Sequence, residues 1–336
     1  MILLLVRRLL WMVPVLFAVV VVTFLLLRAV PGGPWDNRPG TPAMFSVSMD
    51  AAARKMLDQR YGLDQPLWRQ FTRYIFGDVD KDGEFVCGLI CGNMGPSLRL
   101  RGNTVQNVLF GAPEGKPFWQ SCFFYSIRLA LLALLLALAV GIPAGVIAAL
   151  KRDTWVDHAI TLGASLGISV PNFVVGLFLI ATLVSVGASF SVVPRSWSDP
   201  GVWVIPVVVL SLGTMAATTR LTRASVLEVM QADHVRTARA KGLAERAVVR
   251  SHIVRNSLIP VVTLLGPALA ELIAGSFVIE MMFGFPGMGR VYIDSVVWHD
   301  YPMILSATLV YAALVTLVNL GVDFAYGVLD PRIRVK

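Results

Sequence analysis

Few residues of this 336-residue chain are placed for covalent chemistry. Its four histidines, His158, His234, His252 and His299, lie in or beside loops, and no H-E-x-x-H pair offers a zinc site with its general base. No G-x-x-x-x-G-K-[ST] stretch is present to cradle a nucleotide phosphate. Cys87, Cys91 and Cys122 share one stretch between apolar runs, where an oxidising compartment permits one disulfide between any two of them. Cys87 and Cys91 without a neighbouring His make a poor zinc pair. Asp78, Asp80, Asp82 and Gly83 open like a D-x-D-x-D-G calcium loop, but Leu89 stands where the closing bidentate Glu belongs. The segment reads as a solvated acidic turn, and no metal site is expected.

The polar residues inside apolar runs carry more information. Asn172, next to Pro171, either faces an aqueous cavity or bonds a neighbouring helix. A carboxylate in hydrocarbon is expensive, so Glu271 either lines a watered path or sits hydrogen-bonded between helices. Asp323 lies near the end of the last apolar run and is expected to pair with a basic loop.

The densest charge lies from Glu228 to Pro260. Arg236, Arg239, Lys241, Arg246, Arg250 and Arg255 stand there against Glu228, Asp233 and Glu245. A short basic loop between spans belongs in the cytoplasm. Asp233 is placed to cap a short helix, and Gly242 to end it in the left-handed conformation. Two short helices with a glycine corner are predicted. Such a loop either fixes topology alone or docks a cytoplasmic partner.

The elements that position these residues are membrane helices. The chain is 56% hydrophobic and 15% charged, with a mean hydropathy of +0.70, far more apolar than a soluble domain. Its net charge of +8 flanks the apolar runs instead of forming one face, which argues for membrane topology and against nucleic acid. Leu9 to Leu27 reads as a retained first helix, longer in its apolar core than a signal peptide. Phe123 to Leu150, Ile160 to Val186, Val202 to Thr219, Ile259 to Ile279 and Met303 to Tyr326 follow as spans. Gly141, Pro143 and Gly145 in the second span suit close packing or a kink. Residues 1–30 are thus read as an N-terminal transmembrane helix, 31–122 as an external domain, and 123–336 as a five-helix core with a cytoplasmic loop at 228–258. Asp50 to Tyr61 has a helical composition that Gly62 ends. Six spans put both termini in the cytoplasm, with Arg7-Arg8, Lys151-Arg152, the basic loop and the tail on one side.

The run Arg236-Thr237-Ala238-Arg239-Ala240-Lys241-Gly242-Leu243, with His252, Arg255-Asn256 and Leu258-Ile259-Pro260, resembles the signature loop of ABC importer permeases, most closely the dipeptide and oligopeptide branch. Glu280, Pro286-Gly287, Gly289-Arg290 and Asp300-Tyr301-Pro302 resemble a second motif of that branch, and Gly92 to Ser97 is similar to its oligopeptide members. Two departures stand out: Arg236-Thr237-Ala238 replaces Glu-Ala-Ala, and Ala244 replaces a capping Ser. The resemblance implies an all-α polytopic membrane protein with the six-helix type I importer fold, in the bacterial inner membrane. It implies ATPase coupling through Asp233, Arg236, Thr237, Ala238, Arg239, Lys241, Gly242 and Leu243, and a path or gate at Pro171, Asn172, Glu271, Glu280, Pro286 and Gly287. Implied partners are a second permease, two ATPase subunits that bind the ATP and Mg, an external peptide-binding protein and the lipid bilayer. Oligopeptides are the expected cargo, with dipeptides, nickel or glutathione as alternatives. An intramembrane enzyme is the reading from another class, and the absence of an H-E-x-x-H pair disfavours it.

Overall fold

The computed structural model describes residues 2–30, 33–35, 50–79, 83–100, 102–113, 115–186, 196–197 and 199–329. Outside these lie 36–49, Asp80 and Asp82 of the acidic turn, the basic tail, and the side chain of Asp323. Helix α1 (Ile2–Ala29) is followed by α2 (Ala51–Tyr61), α3 (Leu67–Phe76), strands β1 (Gly77–Val79) and β2 (Phe85–Cys87), and α4 (Val105–Phe110). Then come α5 (Cys122–Leu150), α6 (Trp155–Ser169), α7 (Asn172–Ser185) and α8 (Val204–Met230). The chain continues through α9 (Asp233–Ala240), α10 (Glu245–Ala247), a π-helical turn at Val248–Val254, α11 (Arg255–Ser257), α12 (Ile259–Met282), α13 (Met288–Trp298) and α14 (Tyr301–Leu329).

Among the described residues, five helices are long and apolar enough to cross a membrane: Val6–Ala29, Cys122–Leu150, Pro200–Met230, Ile259–Met282 and Tyr301–Val322. The third expected span is not one helix. Ile160 to Val186 is broken at Val170-Pro171, where α6 and α7 meet at 101°. Proline disfavours the α region for the residue before it and donates no N–H, and Val170 here lies extended at φ −98°, ψ 123°. At ~1.5 Å per residue neither half reaches across a ~30 Å core alone. The fourth span also runs on, because Arg220 and Arg223 end the apolar stretch without ending the helix, and α8 extends to Met230.

The residues form two compact units that are not contiguous in the chain. One comprises Met1–Arg8, Tyr125–Arg290 and Leu314–Lys336. Its helices approach closely through α5 and α8. A Cβ at Gly141 would meet the Met215 carbonyl at 2.9 Å, and one at Gly145 the Thr219 carbonyl at 2.6 Å, so the small residues serve packing as their composition suggests. Asp157 of α6 is buried and accepts both Nε and Nη2 of Arg223 on α8, at 2.6 and 2.7 Å. It also accepts the backbone N–H of Asp153 at 3.1 Å, so the link into α6 is tied to α8.

The other unit comprises Leu9–Phe124 and Val291–Ala313. Asp50 caps α2 by accepting the Ala52 N–H, and Gly62 ends it at φ +69°. β1 and β2 pair antiparallel, with Asp78 opposite Val86. Cys87 and Cys91 form the disulfide. Cys122 stands at the first position of α5.

Candidate functional site

The basic loop folds as a small helical element with an apolar back and a charged front. Val235, Ala238, Val248 and Ile253 form a buried cluster with Ala149 of α5 and Val226 of α8. The element is thereby seated on the ends of those two helices. Spacings 235/238 and 248/253 put these residues on one side, and Arg236, Thr237, Arg239, Lys241 and Leu243 on the other, all exposed. Ala238, one of the residues the resemblance places at the docking face, is 4% exposed and belongs to the packed back. Leu243 is 45% exposed, an apolar residue amid cations.

Gly242 turns the chain at φ +75°. The Gly242 N–H donates to Arg239 O at 2.9 Å and the Leu243 N–H to Ala238 O at 3.4 Å, the paired bonds of a Schellman end. Across this corner Arg239 forks onto Glu245, with Nη2···Oε1 at 2.6 Å and Nε···Oε2 at 3.2 Å. The paired guanidinium lowers the Glu245 carboxyl below its ordinary value, and the carboxylate raises Arg239. Asn256 Nδ2 lies 3.1 Å from His234 Nε2, joining α11 to α9. Asp233 is not the expected cap. It is the first residue of α9, and Ala232 is the N-cap, with no side-chain cap hydrogen bond. Asp233 instead adds negative charge at the helix's positive end and lies 3.6 Å from Arg236. Ala244 caps α10 without a side-chain bond.

The path candidates separate. Asn172 Nδ2 donates to the Leu210 carbonyl of α8 at 3.1 Å, the interhelical alternative, while Pro171 is exposed at the bend. Glu271 is exposed on α12. Glu280 is fully buried at the end of α12, where Oε1 accepts Ser276 Oγ at 2.8 Å and Oε2 accepts the Gly289 N–H at 2.7 Å. Ser126 of α5 accepts the Met288 N–H at 2.8 Å. Glu280 therefore anchors the turn 283–289. Phe285, buried among the rings of Tyr125, Trp197 and Trp203, closes that turn. Pro286 is half-buried and Gly287 buried above the carboxylate. Gly163-Ala164-Ser165-Leu166-Gly167 has G-x-S-x-G spacing, but it lies inside α6 and not at a strand-to-helix turn, so it makes no nucleophile elbow.

Residues 141–335 match the family model described as binding-protein-dependent transport system inner membrane component. The chain belongs to this family. The permease is 34% identical to a dipeptide transport system permease protein of Bacillus subtilis over 98% of its own length and 97% of the relative's. It is 36% identical to a glutathione transport system permease protein of Shigella flexneri, with 98% of each covered. It is 32% identical to an oligopeptide transport system permease protein of Salmonella typhimurium, again with 98% of each covered. It is a multi-pass inner-membrane transport subunit.

Two anchors of the permease escaped the sequence reading. Asp157 looks like link charge and is a buried ion pair. Asp300 looks like a turn residue and is a buried node. It accepts Ser97 Oγ, the Leu98 N–H at 3.2 Å and the Arg99 N–H at 3.4 Å, and it caps α14 through the Met303 N–H at 3.4 Å. Arg99 adds bonds to the Trp298 and Pro34 carbonyls at 3.0 and 2.9 Å. An aspartate directly before a helix with proline at its second position was the available signal.

Proposed function

We propose that this permease forms half of a translocation path for short peptides, oligopeptides foremost, and that ATPase subunits drive it through residues 233–243. The observation that carries the coupling reading is a basic, glycine-cornered front on an apolar back packed against α5 and α8. A partner pushing on that front moves two long helices at once. The cargoes for which the relatives are named, dipeptides, oligopeptides and glutathione, are all peptidic, which supports the cargo. The chain lacks a nucleotide-binding motif of the phosphate-loop kind, so ATP and Mg belong to the partner subunits. A second permease and an external peptide-binding protein complete the assembly. Basic residues at Arg7-Arg8, Lys151-Arg152 and the loop support cytoplasmic termini.

The test is ATP hydrolysis by the reconstituted complex with its binding protein and a ladder of peptides of increasing length. Stimulation is expected, and its length dependence defines the cargo. Gly242→Asp adds backbone strain and a negative charge at the docking front, where a Cβ meets nothing within 4 Å. Uptake is expected to fall to background with the membrane fold retained; normal uptake by that variant defeats the coupling reading.

A further inference from the structure

The unit formed by Leu9–Phe124 and Val291–Ala313 holds a cavity of about 830 Å3. That volume falls within the ~300–1,000 Å3 of small-molecule sites. Three guanidinium groups, Arg28, Arg60 and Arg73, line it against one carboxylate, Asp78. Asp78 is already engaged, since Oδ1 accepts the Val79 N–H at 2.9 Å and Oδ2 lies 3.9 Å from Arg69. Three neutral polar residues of the wall, Gln70, Tyr74 and Asn93, are engaged as well, while the buried Thr104 hydroxyl has no partner among the described residues. Gln70 donates to the Leu63 and Gln65 carbonyls at 3.0 and 2.6 Å and accepts from Arg28. The Tyr74 hydroxyl shares a 3.0 Å bond with Ser306, and Asn93 bonds the Cys87 carbonyl and the Gly95 N–H, both at 3.0 Å.

Arg60 and Arg73 differ from Asp78, Gln70, Tyr74 and Asn93. Neither has a hydrogen-bonded or ion-paired partner among the described residues. Arg28 is oriented by the Tyr301 ring, 4.7 Å from its guanidinium carbon, and of its five N–H donors Gln70 takes one. The wall is also preformed. Arg73 lies so close to the αL corner at Gly62 that a Cβ there would stand 2.4 Å from its Nη1, and Cys87, held in a disulfide with Cys91, lines the same cavity. A concave, preformed site with surplus guanidinium donors selects an oxyanion small enough to enter it. Carboxylate matches the guanidinium fork with two parallel hydrogen bonds.

We propose that this cavity binds the C-terminal carboxylate of a short peptide, with Arg60 and Arg73 as its ligands and Arg28 completing the positive wall. The proposal rests on the peptide-importer reading, which puts the segment between α1 and α5 on the side from which cargo arrives. A peptide released from its carrier would be held here by its charged end.

The experiment uses the membrane complex, without its binding protein, in discs of zwitterionic lipid. A fluorescently labelled tripeptide is titrated as the free acid and as the C-terminal amide, and anisotropy is read. The free acid is expected to bind about tenfold tighter or more, a charge-assisted bidentate pair being lost in the amide. In Arg60→Gln/Arg73→Gln the preference is expected to disappear, and in the double Lys variant to return in part, with thermal unfolding as the check on folding. Equal binding of acid and amide by the unmodified complex overturns the proposal without reference to any variant. So does a retained preference in the folded Gln variant, or competition by phosphatidylglycerol with no preference between the peptides. If peptides plus binding protein stimulate ATP hydrolysis while acid and amide bind alike, the site is wrong and the importer reading stands. If no peptide stimulates, both fall.

Discussion

At Gly242 the backbone turns at φ +75° and nothing lies within 4 Å of where a Cβ would stand; at Gly287 the same added atom would meet Glu280 Oε2 at 2.3 Å and Ser126 Oγ at 2.6 Å. One glycine is required for a conformation and the other for a space. The first corner faces outward with its charges solvated, and the second closes over a buried carboxylate under Phe285. Both sit in the two stretches on which the resemblance to importer permeases rests. The likeness therefore covers two kinds of demand: a surface that must be presented, and a joint that must be shut. A substitution tells them apart, because strain without a clash leaves the fold in place, whereas a clash in a closed joint does not.

The largest effect is expected from Gly287→Ala. The methyl group has no exit except by displacing the Glu280 carboxylate or Ser126, so overpacking of about 1–3 kcal/mol is expected, together with lost bonds to the Gly289 and Met288 N–H groups. Thermal unfolding of the purified complex checks it, and an unchanged midpoint would dissolve the contrast with Gly242. Gly242→Ala comes next. It carries left-handed strain of roughly 1 kcal/mol with no clash, so a small loss of stability and largely retained uptake are expected. Comparing its uptake with that of Gly242→Asp separates strain from charge. The smallest effect belongs to Glu245→Gln, which removes the fork from Arg239 across an exposed corner. The Glu245 carboxyl is depressed in the folded chain, so its contribution is present above the ordinary Glu range and lost as pH falls through the depressed value. Stability of wild type and Gln variant should therefore converge on acidification; a constant gap from neutral to acid pH would show that Glu245 acts through packing.

The long apolar helices were legible because length and hydropathy alone decide them. So was the corner at Gly242, since a basic amphipathic turn ending in glycine has few other solutions. What escaped the sequence lies in the third dimension. Apolarity runs unbroken across Pro171, and composition carries no angle, so α6 and α7 read as one span. Asp157, Glu280 and Asp300 each stand beside loops, glycines or prolines and look solvated. Their burial comes from Arg223, Gly289 and Ser97, which lie far along the chain or across a turn. Residue type alone makes Asp233 the cap, and a shift of one position gives that place to Ala232.

The break at Val170-Pro171 also bears on biogenesis. Helix α7 starts there with Pro171 as its N-cap and no side-chain cap, and the N–H groups of Asn172 and Phe173 have no acceptor among the described residues. In lipid each such group costs several kcal/mol. A solitary copy of this subunit is therefore ill-suited to being surrounded by acyl chains. Water or a neighbouring polypeptide must reach the bend, so insertion into the membrane is complete only once one of them does.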